Sequence, residues 1–272
     1  MKTRILTAII ALPLLLIVIL ALPKIFAAVL FGLMCVLAAY ELLVPTGFVR
    51  NRRLVIYAMV MALLVALWSY FGCSRVWAVA GILVFSILLF TELMLNHIKL
   101  RFERIAVCAV AGVLIPYLFS GIIRIHAVDG TGRFFVLIPF IIAFLSDTGA
   151  YFAGLYLGSH KLAPVISPKK TVEGAVGGVA AATVSMLLYT LILDLAFGFT
   201  VNYLLAIVYG IVCAAAGVYG DLCFSVIKRQ TGIKDYGSLI PGHGGILDRF
   251  DSMIVVAPLV EFLLILIPVA VK

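Results

Sequence analysis

Charge is scarce in this chain. Only 12% of its 272 residues are Asp, Glu, Lys or Arg, while 65% are hydrophobic, and the mean hydropathy is +1.27. An ordinary soluble domain carries about twice that charged fraction, so a soluble globular fold is excluded. Cysteine is sparse and unpatterned: Cys35, Cys73, Cys108, Cys213 and Cys223 are odd in number, widely spaced and mostly inside apolar runs. That excludes a disulfide framework or a cysteine-built metal site and leaves them as packing residues. Internal repeats, low-complexity tracts and a separate soluble domain are also missing. The net charge of +8 would suggest nucleic acid in a soluble protein. Here the basic residues gather between apolar runs, as in membrane proteins, and no nucleic-acid partner is expected.

What the chain has in abundance is apolar runs of membrane-crossing length. They are continuous rather than alternating, so they read as helices and not as barrel strands. The expected spans are Ile5–Leu22, Ile25–Val44, Leu54–Phe71, Val76–Leu95, Ile105–Ile123, Phe134–Ala153, Val172–Leu195, Tyr203–Tyr219 and Met253–Val271, set against the ~20 residues a bilayer core requires. The fold class is therefore an all-α polytopic membrane protein with about nine transmembrane helices. Met1–Leu22 resembles a signal peptide, but its run is longer than a signal core and a second span follows at once, so it reads as a retained first helix. Lysines and arginines after the even-numbered spans, with Lys272, outnumber those on the other side by fourteen to six. That bias puts the N-terminus outside and the C-terminus in the cytoplasm. Residues 1–125 read as a scaffold of N-terminal helices, and 126–272 as a catalytic membrane domain with cytoplasmic loops 154–171 and 228–248.

The few charges are concentrated. Tyr219–Ser252 holds Asp221, Lys228, Arg229, Lys234, Asp235, Asp248, Arg249 and Asp251, with His243 among glycines. Charge this dense beside a bilayer is costly and marks a functional site. If the eighth helix runs on past the membrane, Asp221, Ser225 and Lys228 fall at i, i+4 and i+7 on one face. The glycines around His243 allow positive φ and close backbone approach to a ligand. The chain then re-enters a helix at Ile246–Phe250, with Asp248 and Asp251 in its first turn. Two carboxylates at the inner boundary, Asp221 and Asp248, suit Mg²⁺, which takes one or two protein carboxylates and completes its shell from substrate phosphates. Acids in a first turn also complement the helix dipole, and His243 also reads as a hydrogen-bonded loop residue. His243 lacks the partner histidines of a zinc site.

A second loop tells a matching story. The sixth span contains Asp147, an acid in an apolar run. The segment Ile166-Ser167-Pro168-Lys169-Lys170-Thr171-Val172-Glu173-Gly174 enters the seventh. Ser167 or Thr171 can cap that helix, with Pro168 in its first turn, and Lys169 and Lys170 beside a capped helix start make a phosphate site. The plainer reading is topology-setting lysines beside a cap. Gly174, Gly177, Gly178, Ala181 and Ala182 are expected to serve close helix packing.

At this point the sequence resembles a known family. The run Ser225-x-Ile227-Lys228-Arg229-x(4)-Lys234-Asp235-x-Gly237-x(2)-Ile240-Pro241-x-His243-Gly244-Gly245-Ile246-x-Asp248-Arg249-Phe250-Asp251 is similar to the signature of the phosphatidate cytidylyltransferases (CDP-diacylglycerol synthases). So is Ser146-Asp147-Thr148-Gly149-Ala150-Tyr151-Phe152, followed by Pro164-x-Ile166 through Gly174. The resemblance covers roughly the C-terminal half. It departs at Leu155 and Ser159, where such proteins commonly carry Arg and Lys. It implies a homodimeric inner-membrane enzyme with a cytoplasmic active site that makes CDP-diacylglycerol and pyrophosphate from CTP and phosphatidate, with membrane lipids as further partners. It also implies Mg²⁺ as cofactor, with room for a second cation. On that basis Asp221 and Asp248 are assigned to the metal, with Asp251 and Asp147 as weaker ligands. Lys228, Arg229 and Lys234 are assigned to one phosphate group, and Ser167, Lys169, Lys170 and Thr171 to the other. Ser225 and His243 orient these groups, and Asp235 and Arg249 join the substrate contacts.

Two other readings remain at this level. A CTP-dependent polyprenol or phytol kinase, or a cytidylyltransferase for another lipid phosphate, would need similar nucleotide-holding loops. A secondary transporter would use Asp147 and Asp221 as a midplane ion site between inverted repeats, but no repeat is visible and the acids gather at one face.

Overall fold

The protein is described by a computed structural model covering residues 2–72, 74–239 and 244–272, with side chains from residue 9 onward. It is predominantly helical. Helix α1 (Lys2–Leu20) is followed by α2 (Lys24–Leu43), α3 (Arg52–Phe71) and α4 (Arg75–Leu95). The next long helix, Phe102–Ala127, is composite: α5 (Phe102–Ala109), a π-turn at Val110–Leu114, α6 (Ile115–Phe119) and α7 (Gly121–Ala127). Then come α8 (Gly132–Phe135), α9 (Leu137–Leu157), strands β1 (Lys161–Ala163) and β2 (Ser167–Thr171), α10 (Val172–Phe197), β3 (Thr200–Val201) and α11 (Tyr203–Gln230). The chain closes with α12 (Leu247–Phe250), α13 (Met253–Leu266) and β4 (Ala270–Val271).

Among the described residues, seven helices are long and apolar enough to cross a membrane, and Ile9–Leu20 and Met253–Leu266 are shorter apolar helices. The last span thus ends earlier than expected. Ile267 precedes Pro268 and has left the helical region (φ −141°, ψ 71°), since proline disfavours a helical residue before it, and the chain leaves as a strand instead of continuing to Val271. The π-turn also has a local cause. Pro116 has no N–H to offer the carbonyl four residues back and its ring crowds it. The helix widens there, and the Ile115 N–H reaches back to the Val110 carbonyl.

The chain forms two compact units, Met1–Ala127 with Gln230–Phe250, and Val128–Arg229 with Asp251–Lys272. In the first, α2 and α3 pack together with Gly32 lying against Leu63 and Ala66, and Phe31, Cys35, Ala38 and Leu42 of α2 and Leu54, Ala58, Ala62 and Val65 of α3 are buried. Phe119 stacks edge-on against Phe31 (6.0 Å between centroids) and Phe250 (5.4 Å), which seats α12 on this core. Asn51 caps α3, its Oδ1 accepting the Arg53 N–H at 3.0 Å.

In the second unit α9 and α10 lie in close contact because small residues face each other. A Cβ added at Gly149 would overlap Ala181, one at Gly177 would overlap Ala153, and one at Gly178 would sit 2.8 Å from the Ser146 carbonyl. Helix α11 joins them, Gly210 lying against Thr183 of α10, and α13 packs on α11 at Gly217 and Gly220. The segment expected as a plain loop, 154–171, contains an antiparallel hairpin pairing Lys161 with Thr171 and Ala163 with Ser167. A second two-stranded sheet pairs Thr200 with Val271 and Val201 with Ala270. The all-α expectation therefore needs two small sheets added, and Pro168 lies in β2 instead of a first helical turn. Thr171 alone caps α10, its hydroxyl accepting the Gly174 N–H at 3.1 Å.

Candidate active site

The second unit collects most of the charged candidates. Helix α11 continues unbroken to Gln230, so its last three turns carry Asp221, Ser225 and Lys228 on one face, as their spacing requires. The Ser225 hydroxyl donates to Asp221 Oδ1 at 3.4 Å. Strand β2 delivers Lys170, whose ammonium forms an ion pair with Asp221 Oδ2; both side chains are mostly enclosed, 28% and 22% exposed. Arg229 Nε donates to the Ile166 carbonyl at 3.0 Å, tying the hairpin turn to the end of α11. Hairpin and helix therefore hold each other.

Two further acids act on this pair through the field. Burial pulls the Lys170 ammonium below its usual range, Asp147 and Asp251 pull it back up, and Lys228 adds to the lowering. Asp251 is 8% exposed. Its carboxyl is pushed up to about 6, first by burial, with Asp147 adding to the rise and the Ser252 N–H (2.8 Å), Lys228 and Lys170 working against it. Asp147, Asp221 and Asp251 thus form one electrostatic group with Lys170 and Lys228. Perturbed, mutually dependent charges beside a cleft are a recognised mark of function.

The cleft itself holds about 380 Å³ and is lined by Asp147, Lys169 and Lys170 on its polar side and by Tyr151, Leu155, Leu162 and Val218 on its apolar side. Gly154, Thr171 and Gly174 form its floor, where a Cβ at Gly174 would meet the Ala150 carbonyl at 2.9 Å. Leu155, one of the two departures from the resembled signature, is therefore a cleft wall. Ser159, the other, is exposed and gives its backbone N–H to Glu173 Oε2 at 3.1 Å. Glu173 also accepts from the His160 ring at 2.6 Å, so it closes the base of the hairpin.

Asp248 belongs to the first unit and is placed differently from its expected position. It does not share a first turn with Asp251: α12 ends at Phe250, and Asp251 lies in the break before α13. Its Oδ2 accepts the N–H of Tyr236 at 2.7 Å and of Gly245 at 3.0 Å, a loop-closing arrangement. Gly244 has φ +90°, the conformation expected of a glycine there. At Gly245 the backbone approaches the Glu41 carboxylate closely. Lys234, Asp235 and Arg249 are exposed in the same unit. His243 lies outside the described residues. Ser167 and Lys169 are placed on the hairpin, half-buried and exposed respectively.

Glu41 is the residue that motif reading missed. It sits at the end of α2 at 4% exposure, and its two oxygens accept the N–H groups of Ile246 (3.0 Å) and Leu247 (2.8 Å). An acid inside an apolar run was the available signal.

Among the described residues no three His, Cys, Asp or Glu side chains cluster as a metal cage. The donor set of the second unit is all carboxylate oxygen, which suits a hard divalent cation that keeps most of its shell for phosphates and water.

Comparison with known proteins agrees in one direction. The sequence model of the cytidylyltransferase family matches residues 2–267. A phosphatidate cytidylyltransferase of Staphylococcus epidermidis is 34% identical over 267 residues, 97% of this chain and 99% of that one. One of Bacillus subtilis is 35% identical over 206 residues, 76% and 75% of the two chains. One of Staphylococcus saprophyticus is 38% identical over 185 residues, 68% of each.

Proposed function

We infer the reaction from one premise: the chain belongs to the cytidylyltransferase family. It is an integral membrane protein, and the reaction proposed for it is cytidylyl transfer from CTP to phosphatidate, giving CDP-diacylglycerol and pyrophosphate. The observation that supports a polyanion site most directly is the Lys170–Asp221 pair beside a cleft lined by Lys169, Lys170 and Asp147. Nine spans, a cytoplasmic active site in an inner membrane and a homodimer belong to the same proposal.

In this reading an oxygen of the phosphatidate phosphate attacks the α-phosphorus of CTP, and the bond to the β-phosphate breaks as pyrophosphate leaves. The nucleophile is already an anion, so neither an activating serine nor a covalent intermediate is needed. The barrier comes from bringing anions together and from charge growing on pyrophosphate, and fixed cations lower both contributions. Lys170 and Lys169 face the cleft and are assigned to phosphate oxygens. Asp221 holds Lys170 in place, and Ser225 steadies Asp221. Arg229, through Ile166, fixes the hairpin that presents both lysines.

Mg²⁺ is proposed as cofactor, with Asp221 as the principal ligand, and Asp251 and Asp147 acting through the field around it without completing a three-carboxylate cage. When bound it would neutralise phosphate charge and polarise the phosphoryl oxygens. Asp248 as a second ligand stands as a proposal from the sequence. The apolar wall of Tyr151, Leu155 and Leu162 fits the glycerol and acyl end of a lipid phosphate.

The test is pyrophosphate release by the detergent-purified full chain given CTP, Mg²⁺ and phosphatidate. Release that requires phosphatidate and is lost in Asp221→Asn supports the proposal. Release independent of any lipid phosphate, or near-normal activity in Asp221→Asn, contradicts it.

A further inference from the structure

The N-terminal helices carry none of the signature residues, yet one of them supplies a buried carboxylate to the signature loop. Glu41 is two residues from the end of α2 and 4% exposed. A buried carboxylate is strongly unfavourable unless its oxygens are hydrogen-bonded. Here Oε1 accepts from Ile246 and Oε2 from Leu247. The next amide back, Gly245, donates to Asp248 Oδ2. Three consecutive amides, 245 to 247, are thus held by two carboxylates, and the second carboxylate also holds Tyr236. The backbone has been cleared for this contact. A Cβ at Gly237 would come 2.6 Å from Glu41 Oε1, and one at Gly245 would overlap the carboxylate. Neither glycine has positive φ, so close approach, not backbone conformation, explains both.

An apolar side chain at this position would fill the space without any desolvation penalty, and would leave two buried amides unpaired. The carboxylate fixes the path of the two backbone units that lead into Asp248. We propose that Glu41 is a positioning residue: it sets the segment Gly245–Asp248 from the N-terminal helices so that Asp248 is held in one orientation for the reaction. The role rests on the functional reading given above, and it assigns those helices a part in the chemistry beyond anchoring.

The experiment compares the full chain with Glu41→Gln in detergent. A glutamine offers one oxygen to two amide donors and sets its own NH₂ against the other. Hydrogen bonds to charged groups are worth about 1.5–3 kcal/mol, so the expected loss in kcat is about ten- to a hundredfold, with KM for CTP changed little. Hydrogen–deuterium exchange should rise in the peptide covering residues 244–250 and stay unchanged in α3. Gly245→Ala approaches the same contact from the loop side and should reproduce both effects. It also serves if Glu41→Gln does not fold. Unchanged exchange at 244–250, or raised exchange with unchanged kcat, overturns the proposal. A wild-type chain inactive with CTP and phosphatidate sinks the functional reading instead, and the exchange comparison alone then decides whether Glu41 holds the loop.

Discussion

At the residue scale, Asp221 and Lys170 are the pair on which the site turns, and the two should fail differently. Asp221→Asn removes the partner of a mostly enclosed ammonium and the acceptor of Ser225. Loss of an electrostatic group in such a site is worth about 10²–10³ in rate, so pyrophosphate release should drop at least that far while the melting temperature stays within a few degrees. Lys170→Met takes a phosphate contact from the cleft and leaves Asp221 without its ammonium, and should raise KM for CTP or phosphatidate as well as lower kcat. Ser225→Ala removes only a 3.4 Å contact and should cost less than about tenfold. The spacing of Asp221, Ser225 and Lys228 was legible in the sequence because helical period alone puts them on one face. The pairing of Lys170 with Asp221 was not, since it joins residues 51 positions apart through a hairpin whose strands have no apolar alternation. Glu41 was legible only as an acid in an apolar run; its partners are backbone amides, which no side-chain pattern reports.

At the scale of elements, the α9–α10 contact is the most demanding. Gly177→Leu would drive a side chain into Ala153, and overpacking of this kind costs about 1–3 kcal/mol or more. The expected outcome is a marked fall in the yield of monodisperse protein and in its melting temperature, read by fluorescence thermal shift. Thr171→Ala removes the cap of α10 at about 1 kcal/mol, and because Thr171 also lines the cleft it should reduce activity more than stability. The glycine and alanine spacing made the packing readable before the structure, as did the continuation of α11 to Gln230. The hairpin was hidden because Ser167, Pro168, Lys169 and Lys170 carry loop chemistry. Its strands are held by each other, by the Val172 N–H on the His160 carbonyl at 2.9 Å and by Arg229. The break between Asp248 and Asp251 was likewise hidden inside a run that composition reads as one helix.

For the whole molecule, composition was enough to read a polytopic helical membrane protein, and seven long apolar helices are present among the described residues. The ends of the first and last spans were not legible, since apolar residues continue past the point where Pro268 turns the chain. If a hard divalent cation serves the carboxylates of the second unit, EDTA should abolish turnover, and Mg²⁺ should restore it where Zn²⁺ does not. The central claim is that the nucleotidyl part of CTP, and not its terminal phosphate, ends on the lipid. The measurement that tests it most directly incubates the purified chain and phosphatidate with CTP labelled at either the α- or the γ-phosphate and follows the label into the lipid fraction. Label from the α-position in a new lipid, with γ-label released as pyrophosphate, is the predicted result. Label from the γ-position in the lipid would make the protein a CTP-dependent lipid kinase and contradict the account.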